Sequence, residues 1–315
     1  MSFGARIQPI IIIITAVLGI VFGKFTSLGS ISSGYIELFL MMLLYILFIS
    51  TDLNDITSAF KNTKYTLVSV LINFVITPII AVALGQIFFA DSVEIRIGLL
   101  MLLVTPCTDW YLVFTRLSRG NVELNISILP INLILQIILM PVYLFIFMGS
   151  EIQIMTMDFL QSTIIILSIP FVLALLTKKA LKNKESIKEA IDSRSDNLQL
   201  IFLCLAVFVM FAGESKSLFE NWELLLRLFL PLVLFFVLIF IVGQAVGRTL
   251  KFPNKDIVAL NFTTLARNSP LALAIAVGTF SDLPLVSLAL VIGPLIELPI
   301  LSIISGILLK WNEEK

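Results

Sequence analysis

The sequence predicts an all-α protein that crosses a membrane many times. It should have about ten transmembrane helices in two inverted five-helix repeats, with the fourth and ninth helices broken. Three observations predict this. The first is composition: of 315 residues, 59% are hydrophobic and 13% are charged, with a mean hydropathy of +1.07. A soluble domain is nearer about 45–50% apolar and about 25% charged. A chain this apolar cannot cover itself with polar groups, so the bilayer is its solvent. The second is spacing: polar breaks divide the chain into roughly ten apolar runs, near the ~20 residues that span hydrocarbon. The third is that one run in each half is interrupted at its middle by proline and polar residues.

The runs cover about 8–23, 33–50, 66–90, 95–116, 122–148, 155–177, 197–213, 223–247, 256–279 and 284–310. The opening MSFGARIQPI leads straight into the first run with no small-residue cleavage site, so a spanning helix is expected there and not a removed leader. The connections that follow fix orientation through Lys and Arg. The even connections hold Lys61 and Lys64; then Arg116 and Arg119; then Lys178, Lys179, Lys182, Lys184, Lys188 and Arg194; then Arg248, Lys251 and Lys255. The odd ones hold Lys24, Arg96 and Lys216, and two hold none. Arg6, Lys310 and Lys315 fall on the even side, so both termini are expected in the cytoplasm, with the protein in the cell membrane. The long polar stretch from Lys178 to Asp196 mixes signs at helical spacing. It reads as a solvated connector between the halves, with a regulatory or lipid-binding role as the competing reading.

The halves resemble each other. The fourth run is interrupted by VTPCTDW (Val104 to Trp110) and the ninth by LARNSP (Leu265 to Pro270). The runs that follow carry PINLILQIILMP (Pro130 to Pro141) and PLIELP (Pro294 to Pro299), so Gln136 and Glu297 stand in similar settings. Proline-interrupted segments in corresponding places of two halves point to a secondary transporter. Five helices per half, an odd number, makes the repeats inverted: about 1–150 and about 151–315 within a single membrane domain. Pro106 and Pro270 mark the breaks. An unwound turn frees N–H and C=O groups, which in lipid cost several kcal/mol each unless they line a cavity or meet a ligand. If the broken helices cross, Asp109 and Arg267 come near each other and pairing would relieve two buried charges. The competing arrangement sends each charge separately to an aqueous cavity.

Several classes are excluded. The net charge is zero, which leaves no nucleic-acid footprint. There are two cysteines, Cys107 and Cys204, and no histidine. That set offers no ordinary zinc or haem site and no histidine acid–base pair. With no phosphate loop or nucleophile motif either, the chain is not expected to be an enzyme, and neither a cofactor nor a metal is expected. The expected partners are a small solute and the lipid bilayer, with a homo-oligomer left open.

Four segments carry a family resemblance. LINFVITP (Leu71 to Pro78) holds Asn73 and Pro78. Cys107 stands thirteen residues before Gly120 in the broken fourth run. NLILQIILMPVY (Asn132 to Tyr143) holds Asn132 and Gln136, and VIGPLIELP (Val291 to Pro299) holds Pro294 and Glu297. In these the chain resembles the arsenite efflux permeases of the arsenical-resistance type, within the bile acid:sodium symporter superfamily. The resemblance covers nearly the whole chain. It implies a core of about 66–148 and 223–310, with the remaining helices as a panel. It also implies arsenite export against a proton gradient, with Cys107 and Glu297 matching that family's essential thiol and glutamate.

Two departures stand out. Those permeases have Asn-Asn-Phe-Glu where this chain has Arg267, Asn268, Ser269 and Pro270, and apolar residues at Thr108 and Asp109. The sodium-coupled branch has a Ser-Asn pair and a Glu and Gln where this chain has Tyr111 and Leu112, then Thr263 and Arg267. An arginine in that place repels a sodium ion, so coupling is expected to use protons through Glu297 or Asp109.

Each residue has a plainer reading beside the functional one. Cys107 contacts substrate or packs as a small apolar side chain, whereas Cys204, with no polar neighbour in sequence, packs. Glu297 carries a proton or holds a structural hydrogen bond. Asn132, Gln136 and Asn268 line a pathway or join helices. Asn73 and Pro78 shape the third helix. Arg267 can attract an anion, which supports the alternative of an organic-anion carrier of the bile acid symporter type. A sensor or channel-like module is a third reading, opposed by the lack of a soluble signalling domain.

Overall fold

The computed structural model describes residues 3–25, 33–50, 62–107, 110–149, 157–181, 185–213, 215, 222–280 and 282–313. Nearly all of these are helical. The helices are α1 (Phe3–Phe25), α2 (Ser33–Ser50), α3 (Thr63–Leu71), α4 (Thr77–Phe88), α5 (Val93–Leu103), α6 (Trp110–Leu117), α7 (Val122–Met148), α8 (Met157–Ala180), α9 (Glu185–Gly213), α10 (Trp222–Thr249), α11 (Asn254–Leu265), α12 (Ser269–Thr279) and α13 (Pro284–Glu313). Among the described residues, five helical spans are long and apolar enough to cross a membrane: Thr63–Phe88, Val122–Met148, Ser193–Gly213, Glu223–Thr249 and Pro284–Trp311. Large apolar side chains such as Leu226, Leu230 and Ile241 on α10 and Ile138 and Phe145 on α7 are exposed. Such a surface suits hydrocarbon and not water.

The chain divides into two compact units. The first comprises Met1–Asp52, Ile154–Glu223 and Leu273–Leu288. Within it α1 packs on α9, α9 on α2, and α2 on α8. A side-chain atom at Gly19 of α1 would stand 2.6 Å from the Phe208 carbonyl oxygen of α9, so glycine lets these two backbones meet closely. Tyr45 and Thr177 join α2 to α8 through their hydroxyls, 3.0 Å apart.

The second unit comprises Leu53–Gln153, Leu224–Ala272 and Ala289–Lys315. Its first span is continuous but not uniform: α3 passes into α4 through one π-helical turn, Ile72–Ile76. Pro78 explains part of that distortion. Proline has no N–H, and its ring crowds the carbonyl four residues back, which is that of Phe74. The freed Phe74 oxygen accepts a hydrogen bond from the Tyr143 hydroxyl of α7 at 2.6 Å. The same device recurs in α13. Pro294 frees the Leu290 carbonyl, which accepts from the Ser269 hydroxyl. In each case a proline-freed oxygen is satisfied by a hydroxyl from another helix, as the absence of water in lipid demands.

The fourth and ninth runs are each two helices, α5 with α6 and α11 with α12, as the prolines predict. One boundary differs from expectation. α9 begins at Glu185, twelve residues before the apolar run that starts at 197, so most of the polar stretch after Lys184 is helix. Its alternating charges at helical spacing support a solvated helix without apolar periodicity.

Candidate transport site

The site is built where α5 and α11 end. Thr105 caps the end of α5 by donating its hydroxyl to the carbonyls of Met101 at 2.9 Å and Leu102 at 3.0 Å. Thr264 does the same near the end of α11, reaching Leu260 at 2.8 Å. Beyond these ends the two unwound segments run antiparallel, with Pro106 paired against Arg267. Cys107 N–H donates to the Ala266 oxygen at 2.9 Å, and Asn268 N–H donates to the Thr105 oxygen at 2.7 Å. Each break thus satisfies main-chain groups of the other. The chain then re-enters helix on both sides. Asn268 caps α12, its Oδ1 accepting from Leu271 N–H at 3.2 Å. Cys107 stands in the equivalent place before α6, with its Sγ accepting from Trp110 N–H at 3.3 Å.

Arg267 fills the place where the two breaks meet. It is 1% exposed. Its Nε donates to the Leu265 oxygen at 3.0 Å and its Nη1 to the Leu103 oxygen at 2.8 Å. Its Nη2 donates to Asn73 Oδ1 at 3.2 Å and to the Thr264 oxygen. The guanidinium lies over the Phe235 ring, 5.4 Å from its centroid. Three of these acceptors are carbonyls at helix C-terminal ends, where the macrodipole favours a cation. The main-chain N–H of the same residue donates to Glu297 Oε1 at 2.8 Å. Glu297 comes from α13, and among the described residues it is the one buried acid. Asp109, for which pairing with Arg267 and a separate aqueous cavity were both open, lies outside the described residues, as does Thr108. Without Asp109, every guanidinium nitrogen already has a partner.

Around this centre stand neutral amides. Asn73, in the π turn, also donates from Nδ2 to the Thr263 oxygen at 3.1 Å. Asn132 Nδ2 donates to Thr263 Oγ1 at 3.3 Å. Gln136 lies one turn further along the same face of α7. Asn132 Oδ1, Asn268 Nδ2 and both amide atoms of Gln136 are buried with no hydrogen-bond partner among the described residues. Each such orphan costs about 1–3 kcal/mol, and native proteins keep few of them.

So the pairing of the two breaks places Pro106 and Cys107 opposite Arg267 and Asn268, direct bonds from Arg267 add Glu297 and Asn73, and Thr263 joins Asn73 to Asn132. Pro78 and Pro294 act through the carbonyls they free, and Pro270 is the second residue of α12. Cys204 is half-buried on α9, in the other unit.

The model of the family described as Sodium Bile acid symporter family matches residues 36–221, more than half of the chain. The chain belongs to the sodium bile acid symporter family. Similar proteins include the Arsenical-resistance protein Acr3 of Corynebacterium glutamicum, 24% identical over 301 residues that cover 89% of this chain and 81% of that protein. Another protein of that name, from Alkaliphilus metalliredigens, is 22% identical and covers 80% of this chain and 78% of its own. The Uncharacterized sodium-dependent transporter YocS of Bacillus subtilis is 21% identical, covering 90% of this chain and 85% of its own. The chain is therefore a membrane transporter by family.

Within that family frame, the residues missed by sequence reasoning are those that act through hydroxyls and carbonyls. Thr105, Thr263, Thr264, Ser269 and Tyr143 hold the breaks and the freed oxygens in place. Their signal was present: each is a hydroxyl residue in an apolar run, where it needs an acceptor.

Proposed function

We propose that this chain is a secondary transporter that exports arsenite across the cytoplasmic membrane, coupled to protons and not to sodium. In this reading ten spanning helices form two inverted repeats, with the crossing in the core, the other helices as a panel, and both termini cytoplasmic. The observation that carries the reading is Cys107: a buried thiol at the break, one residue from the paired strand position of Arg267, beside amides that lack partners. Arsenite is a small neutral trihydroxide. Its hydroxyls can donate to Asn132 Oδ1, accept from Asn268 Nδ2 and do both with Gln136, and its arsenic forms a bond to the Cys107 sulfur as one As–O bond breaks, the hydroxide leaving with the thiol proton as water. A single thiol holds it reversibly, as transport requires. The two relatives named for arsenical resistance support the substrate. Glu297 serves as the proton carrier, since an intramembrane acid is functional by default.

The organic-anion alternative gains nothing from the geometry. Arg267 is its proposed anchor, yet that guanidinium is engaged by Leu103, Thr264, Leu265 and Asn73. The test is arsenite accumulation in cells lacking their own arsenite pump. The wild type should lower accumulation and Cys107→Ser should not, while both reach the membrane in equal amount. No change by the wild type overturns the substrate, and full activity of Cys107→Ser overturns the thiol's role.

A further inference from the structure

The family description names sodium, and a crossing of broken helices is a natural place for such an ion. Half-helix C-terminal ends carry partial negative charge, and unwound carbonyls offer oxygens. This chain gathers such a set. The Leu103 oxygen comes from the end of α5, the Thr264 and Leu265 oxygens from the end of α11, and Asn73 Oδ1 from the π turn. A hard cation takes oxygen ligands of this kind. All four oxygens already receive hydrogens from one guanidinium. A sodium ion does not fit here, because it would have to evict the side chain and would face its charge at close range.

We propose that Arg267 is a tethered cation that takes the place of a diffusible ion at the crossing and holds the two broken helices together through every transport cycle. Three features support this beyond charge. The Nη1 bond runs from the α11–α12 break to the end of α5, so the side chain bridges one broken helix to the other. Its own main chain is fixed twice, by pairing with Pro106 and by the N–H bond to Glu297, so the cation cannot leave. The site is dry: Arg267 is 1% exposed and Asn73 is fully buried. Delocalised and weakly hydrated, guanidinium is the side-chain cation best suited to such burial. An ion that must bind and dissociate gives coupling, whereas one that is covalently held gives closure without coupling. The inference rests on the transporter reading and deepens its sodium independence. It does not depend on arsenite.

The experiment measures the unfolding temperature of the purified protein in detergent, in sodium chloride against choline chloride at equal ionic strength. Wild type and Arg267→Lys should respond equally to both salts. Arg267→Ala should unfold at a lower temperature in choline. It should recover saturably with sodium, or with guanidinium at concentrations too low to denature, as a small cation refills the oxygen set. An Arg267→Ala protein that folds but responds to neither ion overturns the proposal. So does a wild type or Arg267→Lys protein that is saturably stabilised by sodium, which keeps the test decisive if the alanine variant does not fold. Because arsenite is absent from this assay, failure of the substrate reading leaves its outcome unchanged.

Discussion

In the proposed reading Glu297 has two separable duties where the two breaks meet, and two substitutions should tell them apart. Its Oε1 accepts the Arg267 main-chain N–H at 2.8 Å, and both residues are almost wholly buried. Glu297→Ala removes the acceptor and leaves that N–H without a partner where water does not reach. A buried donor left without a partner costs about 1–3 kcal/mol. Glu297→Gln keeps a carbonyl oxygen at the same place that can accept the same N–H. The alanine variant should therefore be less stable than the glutamine variant by about 1–3 kcal/mol. Transport should behave differently. Neither side chain can carry a proton, so both variants should lose efflux driven by a pH gradient. The assay pairs thermal unfolding of purified protein with arsenite uptake into everted vesicles under an imposed gradient. Equal stability of the two variants would refute the anchoring role. Gradient-driven transport by Glu297→Gln would refute the proton-carrying role and leave the anchor intact.

Three further outcomes follow from the same structure. Tyr143→Phe should cost about 1–3 kcal/mol by stranding the Phe74 oxygen. Most of that cost should vanish in a Pro78→Ala background, where a restored N–H can reach the same oxygen; additive losses in the double-mutant cycle would count against the pairing. Gly120→Ala should destabilise by about 1–3 kcal/mol, because the new atom would stand 2.6 Å from Val258 Cγ1 and 2.8 Å from Thr115 Cγ2, both on stiff β-branched side chains; unchanged thermal unfolding would show that α11 can move aside. Arg227 donates to both oxygens of Asp91 at 2.9 Å and holds that exposed carboxyl below its usual range. A depressed value means the pair's contribution is complete above the ordinary carboxylate range and is lost as pH falls through the folded value. The gap in unfolding temperature between wild type and Asp91→Asn should be constant through neutral pH and close only in acid.

The breaks were legible in the sequence because proline and polar residues interrupt apolar runs, and such residues have few places to go in a membrane. VTPCTDW and LARNSP announce the two unwound segments, and the helices flank them as expected. What the sequence could not convey is which group satisfies which. The π turn at Ile72–Ile76 leaves no compositional trace beyond Pro78. For Arg267 the sequence offered two arrangements, a pair with Asp109 or a separate aqueous cavity, because charge is visible in a sequence and carbonyl oxygens are not. Its described partners are mostly main-chain oxygens, present at every residue and made special only by the helix ends that expose them. The start of α9 was missed for a related reason: its first turns are helical without an apolar stripe, so no hydrophobic period marks them.

The pairing of the two breaks also suggests why unpartnered amides persist beside them. The two breaks satisfy each other's main chain, and the guanidinium takes the carbonyl ends, so the scaffold of the site holds together without a solute. Asn132 Oδ1, Asn268 Nδ2 and the Gln136 amide are then left over. A sequence free to vary could replace a buried glutamine with leucine and remove the cost of its orphaned amide. Retaining it is reasonable if something else completes those bonds for part of the cycle. A solute with several hydroxyls would complete them when bound and leave them unmade when released, so the empty site would be poised to take up the next one. On this view the arginine supplies permanent closure and the amides supply reversible binding. Substituting Gln136 by Leu should then leave the fold as stable as before, or more so, while weakening solute uptake; a loss of stability equal to that of a core truncation would mean the amide has partners of its own.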